Sequence, residues 1–308
     1  MNHAPKLTSE RLESIEKAMG EGGSSVTDVS WNEYSSTFDS YVVEGSQGAA
    51  FVKFGMSYTD SNTGHRRGLG NELGFYEAFA PPVSSLPCLV ASGLTSDGEE
   101  FLILEYVEGY RLEHDTRSDR LERAIVGLVE LHDALAAEKA PPIASNLFQR
   151  PYFEAWAERV GTTARTWAHD NTWIPRVAPP VSRALARAAE QSDAVVHGEL
   201  FANNVIIQAG GHPRFVDWDA WGRGPRVLDL AALTLGWPDA PTEWCLATYR
   251  GACANPAAIG SATDLHAARL FYGLLALRHR QGQVVDSGEP WLQDLRLSWS
   301  ALEAQGLP

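Results

Sequence analysis

His197-Gly198-Glu199-Leu200-Phe201-Ala202-Asn203-Asn204 and, after a short apolar hairpin, Phe215-Val216-Asp217-Trp218-Asp219 decide how this chain is read. Val195-Val196 ahead of the first stretch, and Arg214 to Val216 leading into the second, have the character of short strands. A polar loop therefore follows a strand twice. Glu199 and Asn204 share one loop and can turn toward one point, and Asp217, at a strand end, can bring a second carboxylate to it. Two carboxylates and an amide oxygen so arranged are what magnesium-assisted phosphoryl transfer requires. One group takes the acceptor hydroxyl's proton, and the others hold the metal that bridges the phosphates.

At 308 residues the chain is long enough for one large domain or two lobes. Its 44% hydrophobic and 21% charged residues are those of a globular protein rather than a disordered one. A net charge of −14 leaves no basic stripe to neutralise phosphates, which argues against a nucleic-acid partner; a cationic small substrate is compatible with it. Cys88, Cys245 and Cys253 are too few and too scattered for a disulfide framework or a zinc knuckle. No apolar run is long enough to span a membrane, and the opening MNHAPKLTSERLESIEKAMG is polar with a helical period rather than an export signal. The expectation is a soluble, cytoplasmic protein, monomer or homodimer, without a membrane partner.

Residues 9 to 19 have the spacing of an amphipathic helix. Phe38 to Val43 and Ala49 to Phe54 read as strands around a turn at Glu44 to Gly48, and Leu89 to Leu94 and Phe101 to Tyr106 as two more, joined at Ser96-Asp97-Gly98. Between these pairs Gly68 to Phe79 has helical spacing and stops at Pro81-Pro82. After Ser118 the pattern turns helical: Leu121 to Leu135, Tyr152 to Trp167, Val181 to Gln191, then segments near Pro241 to Ala252, Thr263 to Arg280 and Trp291 to Ala304. Pro141-Pro142 and Pro179-Pro180 stand as breaks. The fold class is α+β and bilobal, with the division at Glu108-Gly109: a small β-rich N-lobe, 1–108, and a larger helical C-lobe, 109–308.

The pattern His-Gly-Glu-x-x-x-x-Asn at 197–204, with Val-Asp-Trp at 216–218, resembles the catalytic loop of the aminoglycoside phosphotransferase and choline kinase superfamily, which reads His-Gly-Asp-x-x-x-x-Asn and then Ile-Asp-Trp or Phe. Glu199 stands where that family has its catalytic Asp. The resemblance runs over nearly the whole chain and is most specific from Val195 to Leu233. It implies a protein-kinase-like fold in which 1–108 is the nucleotide-binding lobe and 109–308 the catalytic and substrate lobe. It also implies a small-molecule kinase: an ATP-dependent O-phosphotransferase, GTP left open, with Mg2+ as cofactor. The acceptor would be a small hydroxylated molecule such as an aminoglycoside, an amino sugar, a choline-like alcohol or another natural product.

Residue by residue, the resemblance makes Glu199 the group that orients and deprotonates the hydroxyl. Asn204 and Asp217 hold the metal, and His197 braces the loop, no second His lying at ligand spacing. Lys53 grips the phosphates and is braced by Glu72, although a strand Lys on its own faces solvent as readily, and Glu77 is a rival partner on another helix face. Asp219 is either an auxiliary metal ligand or a solvated acid. Asp229 is either a surface N-cap or a buried carboxylate that holds the catalytic-loop backbone. Glu105, Tyr106 and Val107 resemble the interlobe hinge, where backbone groups read the adenine edge and the Tyr106 side chain packs. No Gly-rich loop is present at 31–37, and Ser35, Ser36 and Thr37 are either a phosphate flap or a polar turn. Trp156, Trp167 and Trp173 lie in the helical region that lines the acceptor pocket in that superfamily, or in the core. The added methylene of Glu199 moves its carboxylate by roughly a bond length, and ~1 Å of misplacement can cost ~100-fold in rate. Three outcomes stay open: an active enzyme whose loop is reset around Glu199, a pseudokinase that binds nucleotide or ligand with little or no transfer, and an enzyme of the same fold that moves another part of the nucleotide.

Overall fold

Strand alternation builds the first sheet. Tyr41 and Val43, Ala50, Val52 and Phe54, and Phe101 and Ile103 all project to one side of their strands, where Ile15 of the N-terminal helix completes a buried core. These assignments come from a computed structural model, which describes residues 7–20, 26–32, 38–46, 48–55, 68–79, 83–115, 117–137, 146–167, 173–237, 240–279 and 290–306. The expected turn at Pro81-Pro82, the break at Pro141-Pro142 and Ser35, Ser36 and Thr37 lie outside the described residues.

By contacts the chain divides into two units: residues 1–109 with 214–220, and residues 110–213 with 221–308. The segment 214–220 thus joins the first unit, although it lies beyond the division expected from sequence. The first unit holds α1 (Ser9–Gly20), β1 (Val26–Trp31), β2 (Asp39–Gly45), β3 (Gly48–Gly55), α2 (Leu69–Phe79), β4 (Leu89–Leu94) and β5 (Glu100–Glu105). Its five strands lie in the order β1-β2-β3-β5-β4, each antiparallel to its neighbour. Arg11 ties α1 to the sheet with a bidentate bond to Glu99, a bond to Asp39 and a cation–π contact on Phe54.

In the second unit the elements are β6 (Tyr110–Arg111), α3 (Ser118–Ala137), β7 (Asn146–Leu147), α4 (Arg150–Trp167), α5 (Ile174–Gln191), β8 (Ala194–Val196) and β9 (Val205–Ile207). After β10 (Pro213–Phe215), which enters the first unit, come β11 (Gly222–Gly224), α6 (Val227–Thr234), α7 (Thr242–Ala252), α8 (Ala262–His279) and α9 (Pro290–Ala304). Helices dominate, and the strands are two or three residues long. β11 pairs with β7 and β8, an approach so close that a Cβ on Gly222 would lie 2.5 Å from the Asn146 carbonyl oxygen. Pro179-Pro180 does not break the chain as expected: α5 runs through both residues. Two missing N–H groups are outweighed by burial of Val177, Ala178, Val181, Ala184, Leu185 and Ala188 along one side.

Every residue of α6 is buried, so Asp229 must find its partners inside the protein. In the same unit Phe148, Tyr152, Phe153, Trp156 and Phe271 form a chain of edge-on and tilted rings. Trp156 is fully buried there as part of the core.

Candidate functional site

Strand parity places Lys53. Val52 and Phe54 face the core under α1, so the side chain between them faces the other way, toward α2. Its ammonium lies 2.9 and 2.7 Å from the two carboxylate oxygens of Glu72 and 2.5 Å from Oδ1 of Asp217. Lys53 is 6% exposed and Glu72 not at all, whereas the Asp217 side chain is 42% exposed. Burial opposes the charge on Lys53, but Asp217 and Glu72 outweigh it and hold its pKa above that of an ordinary lysine. Burial raises the Glu72 carboxyl against the pull of Lys53. The solvent-facing reading of Lys53 is therefore wrong, and Glu77, exposed on α2, is not its partner.

Asp217 has φ of +71°, the one positive value at a non-glycine position among the described residues. Such a backbone costs about 1–3 kcal/mol and persists only where its surroundings impose it. Here α2 imposes it. The Trp218 N–H donates to Glu72 Oε1 at 3.3 Å, the Trp218 ring stacks on Phe75 with centroids 3.8 Å apart, and Asn71 Nδ2 donates to the Asp219 carbonyl at 2.7 Å. Asp219 is 3% exposed, which excludes the solvated reading. Phe75 and Asn71 were not legible as site residues, and Trp218 was legible only as a letter of the motif, because the role of all three lies in a contact between segments far apart in sequence.

Glu105 at the end of β5 is already engaged. Its N–H donates to the Cys88 carbonyl, and its carboxylate accepts from Arg214 at 2.7 Å and from the Cys88 N–H at 3.1 Å. Burial works against that carboxylate's charge, but Arg214 and the Cys88 amide overcome it and hold its pKa below the usual range. The Glu105 amide hydrogen is thus spent within the sheet. Tyr106 and Val107 make no backbone hydrogen bond to another described residue. Tyr106 is 41% exposed rather than packed, and Val107 is buried.

The second unit carries the loop 197–204, built around a buried carboxylate. Asp229 accepts from the His197 N–H at 2.8 Å, from the Gly198 N–H at 3.1 Å and from His132 Nε2 at 3.0 Å. A carboxylate only accepts, so His132 donates through Nε2 and receives the Tyr249 hydroxyl on Nδ1 at 2.7 Å. Asp229 is no surface N-cap. Gly198, at φ +83°, gives the loop the turn that aims both amides at it. His197 is fully buried, and its Nδ1 accepts from the Glu199 N–H at 3.3 Å. Glu199 is 8% exposed, and its carbonyl accepts from Asn204 Nδ2 at 2.9 Å, a bond that leaves the amide oxygen of Asn204 as an acceptor. Arg111 donates to the Asn203 carbonyl, and Tyr272 to that of Gly198. His132, Tyr249 and Tyr272 lack any sequence signal because they come from α3, α7 and α8.

Lys53, Glu72 and Asp217 thus meet in one unit, with Asp219 in the same turn, and His197, Glu199, Asn204 and Asp229 meet in the other. A sequence profile of the phosphotransferase enzyme family matches residues 31–271. The chain belongs to the phosphotransferase enzyme family. Solved structures show the same kinase-like fold. Aminoglycoside phosphotransferase APH(4)-Ia, a thermostable mutant in ternary complex with ADP and hygromycin B, is 18% identical, with 96% of this chain and 97% of that chain covered at a TM-score of 0.61. Choline kinase from Cryptosporidium parvum Iowa II is 12% identical over 91% of each chain, with a TM-score of 0.62. A choline/ethanolamine kinase family protein from Mesorhizobium loti is 17% identical over 98% of this chain and 97% of its own, with a TM-score of 0.62. No curated protein sequence matches this chain. Among the described residues no helix of this family member is long and apolar enough to cross a membrane, and no group of three or more His, Cys, Asp or Glu is gathered as a metal site.

Proposed function

We propose that this phosphotransferase moves the γ-phosphoryl group of ATP, or of GTP, to a hydroxyl of a small molecule. The observation that carries the reading is the buried ammonium of Lys53, held by Glu72 and touched by an Asp217 whose backbone is strained into place. A cation so desolvated and so oriented is built to meet an anion, and phosphates are the anions of this chemistry. Glu72 keeps Lys53 charged and aimed. Tyr106 and Val107 supply backbone groups for the base edge of the nucleotide.

Asp217, with its half-exposed carboxylate, and Asn204, whose amide oxygen is left as an acceptor by the bond its Nδ2 makes to Glu199, are hard oxygen donors of the kind that suit Mg2+. Asp219 is an auxiliary candidate. When bound, the metal neutralises charge on the phosphates. Glu199 orients the acceptor hydroxyl and receives its proton. His197 holds the Glu199 amide, and Asp229 holds the backbone of His197 and Gly198 ahead of it. Structural relatives named for aminoglycosides and for choline or ethanolamine support an acceptor among amino sugars, aminoglycosides or amino alcohols. The net charge of −14 favours a cationic one.

Glu199 in place of Asp favours a second reading, a nucleotide-binding protein with little or no transfer. Incubation with γ-labelled and α-labelled ATP and a panel of hydroxylated amines separates the two. Transfer of γ-label alone, falling about 100-fold or more in Glu199→Gln, is the expected result. Transfer of α-label, or equal rates for the two proteins, defeats it.

A further inference from the structure

The peptide that leads into Glu199 is pinned at both of its polar ends. The Gly198 carbonyl accepts the Tyr272 hydroxyl at 2.6 Å, and the Glu199 N–H donates to His197 Nδ1 at 3.3 Å. Beyond Glu199, its own carbonyl accepts from Asn204 Nδ2 at 2.9 Å and from the Phe201 N–H at 2.8 Å. The tilt of a peptide plane sets the direction in which the next Cα–Cβ bond leaves the chain. The bond from Tyr272 therefore bears on where the Glu199 side chain starts.

Tyr272 is suited to hold that tilt. It is completely buried on α8, and its ring stands edge-on to Phe271, with centroids 4.8 Å apart, and to Phe201, at 5.4 Å. Burial, with Asp229 and Glu199 nearby, keeps the phenol protonated and hence a donor at every working pH. Gly198, at φ +83°, lets the backbone accept the tilt.

Building on the phosphotransfer reading above, we propose that Tyr272 is a positioning residue: its bond to the Gly198 carbonyl sets the peptide that aims Glu199 and fits the loop to a side chain one methylene longer than Asp. The test is a double-mutant cycle of Tyr272→Phe and Glu199→Asp, followed by γ-phosphate transfer to an acceptor or, with none, to water. Tyr272→Phe is expected to lower kcat about tenfold or more with KM for ATP unchanged, since misplacement of a reacting group is costly while nucleotide contacts are untouched. Glu199→Asp is expected to lower kcat in the wild-type background and proportionally less beside Tyr272→Phe. A purely structural tyrosine would lower Tm and leave kcat alone, which overturns the proposal, as do equal proportional losses in the two backgrounds. Should Tyr272→Phe not fold, the cycle is run with Tyr272→His, which also removes the phenol donor, and equal proportional losses for Glu199→Asp in the two backgrounds again overturn the proposal. A wild type that transfers no γ-phosphate overturns the phosphotransfer reading and this proposal together, whereas an active wild type matched by Tyr272→Phe overturns this proposal alone.

Discussion

Lys53 shows what a single residue costs when its charge is taken out of water. Its raised pKa means that its contribution to stability is complete below the pKa of a free lysine and is lost only as pH rises through the higher folded value, so Lys53 itself stays charged across the neutral range. Removing the ammonium leaves Glu72 buried without its cation. Lys53→Met is therefore expected to lose about 3–5 kcal/mol of stability in urea unfolding, and adding Glu72→Gln to recover part of it. Equal unfolding midpoints for Lys53→Met and wild type would return the ammonium to solvent. Any loss of transfer in a Lys53 variant has to be read at matched folded fraction. The family resemblance paired Lys53 with Glu72, but the sequence offered no sign that the pair is buried, because burial is decided by what covers a strand and not by the strand. Asp219 was ambiguous for the same reason.

At the scale of elements, the legible parts were those with period and punctuation. Strands β2, β3, β4 and β5 and helices α1, α2, α3, α4, α7, α8 and α9 follow alternation or helical spacing to within a few residues at their ends. The start of α5 was missed because a local rule about proline met a tertiary force that outweighed it. β6, β7 and β11, two or three residues long, have no room for a pattern at all. Packing between α7, α8 and α9 carries a pH signature. His266 on α8 lies 3.3 Å from Ser298 Oγ and 3.5 Å from Thr242 Oγ1, and burial, with Arg269 beside it, pushes its pKa down to about 4. Between the value of a free imidazole and about 4, the unfolded chain takes up a proton that the folded chain refuses, so stability falls as pH drops through that window. His266→Gln is expected to start less stable at pH 7 and to lose less on acidification to pH 4, measured as the slope of Tm against pH. Parallel slopes would show that the imidazole titrates freely in the native state.

On the scale of the whole molecule, the kinase-like fold was readable because a β-rich stretch precedes a helical one and because one loop motif is specific. The assignment of residues 214–220 to the first unit was not readable, since the chain crosses back after more than half its length for a contact that leaves no local trace. That return has an optical consequence. Of the ten tryptophans, Trp218 is the one joined to Asp217 in sequence, and its indole lies flat on Phe75, with planes 7° apart. Its emission is expected to report on the turn that carries Asp217. Adding Mg2+ to the nucleotide-loaded protein is expected to change the intrinsic fluorescence beyond the change produced by nucleotide alone, and Trp218→Phe, which keeps an aromatic ring on Phe75, to abolish that increment. An increment that survives in Trp218→Phe would mean that the metal is felt elsewhere. The strained turn thus carries its own chromophore, and a fluorescence titration is expected to follow its occupancy in the unlabelled protein before any acceptor is known.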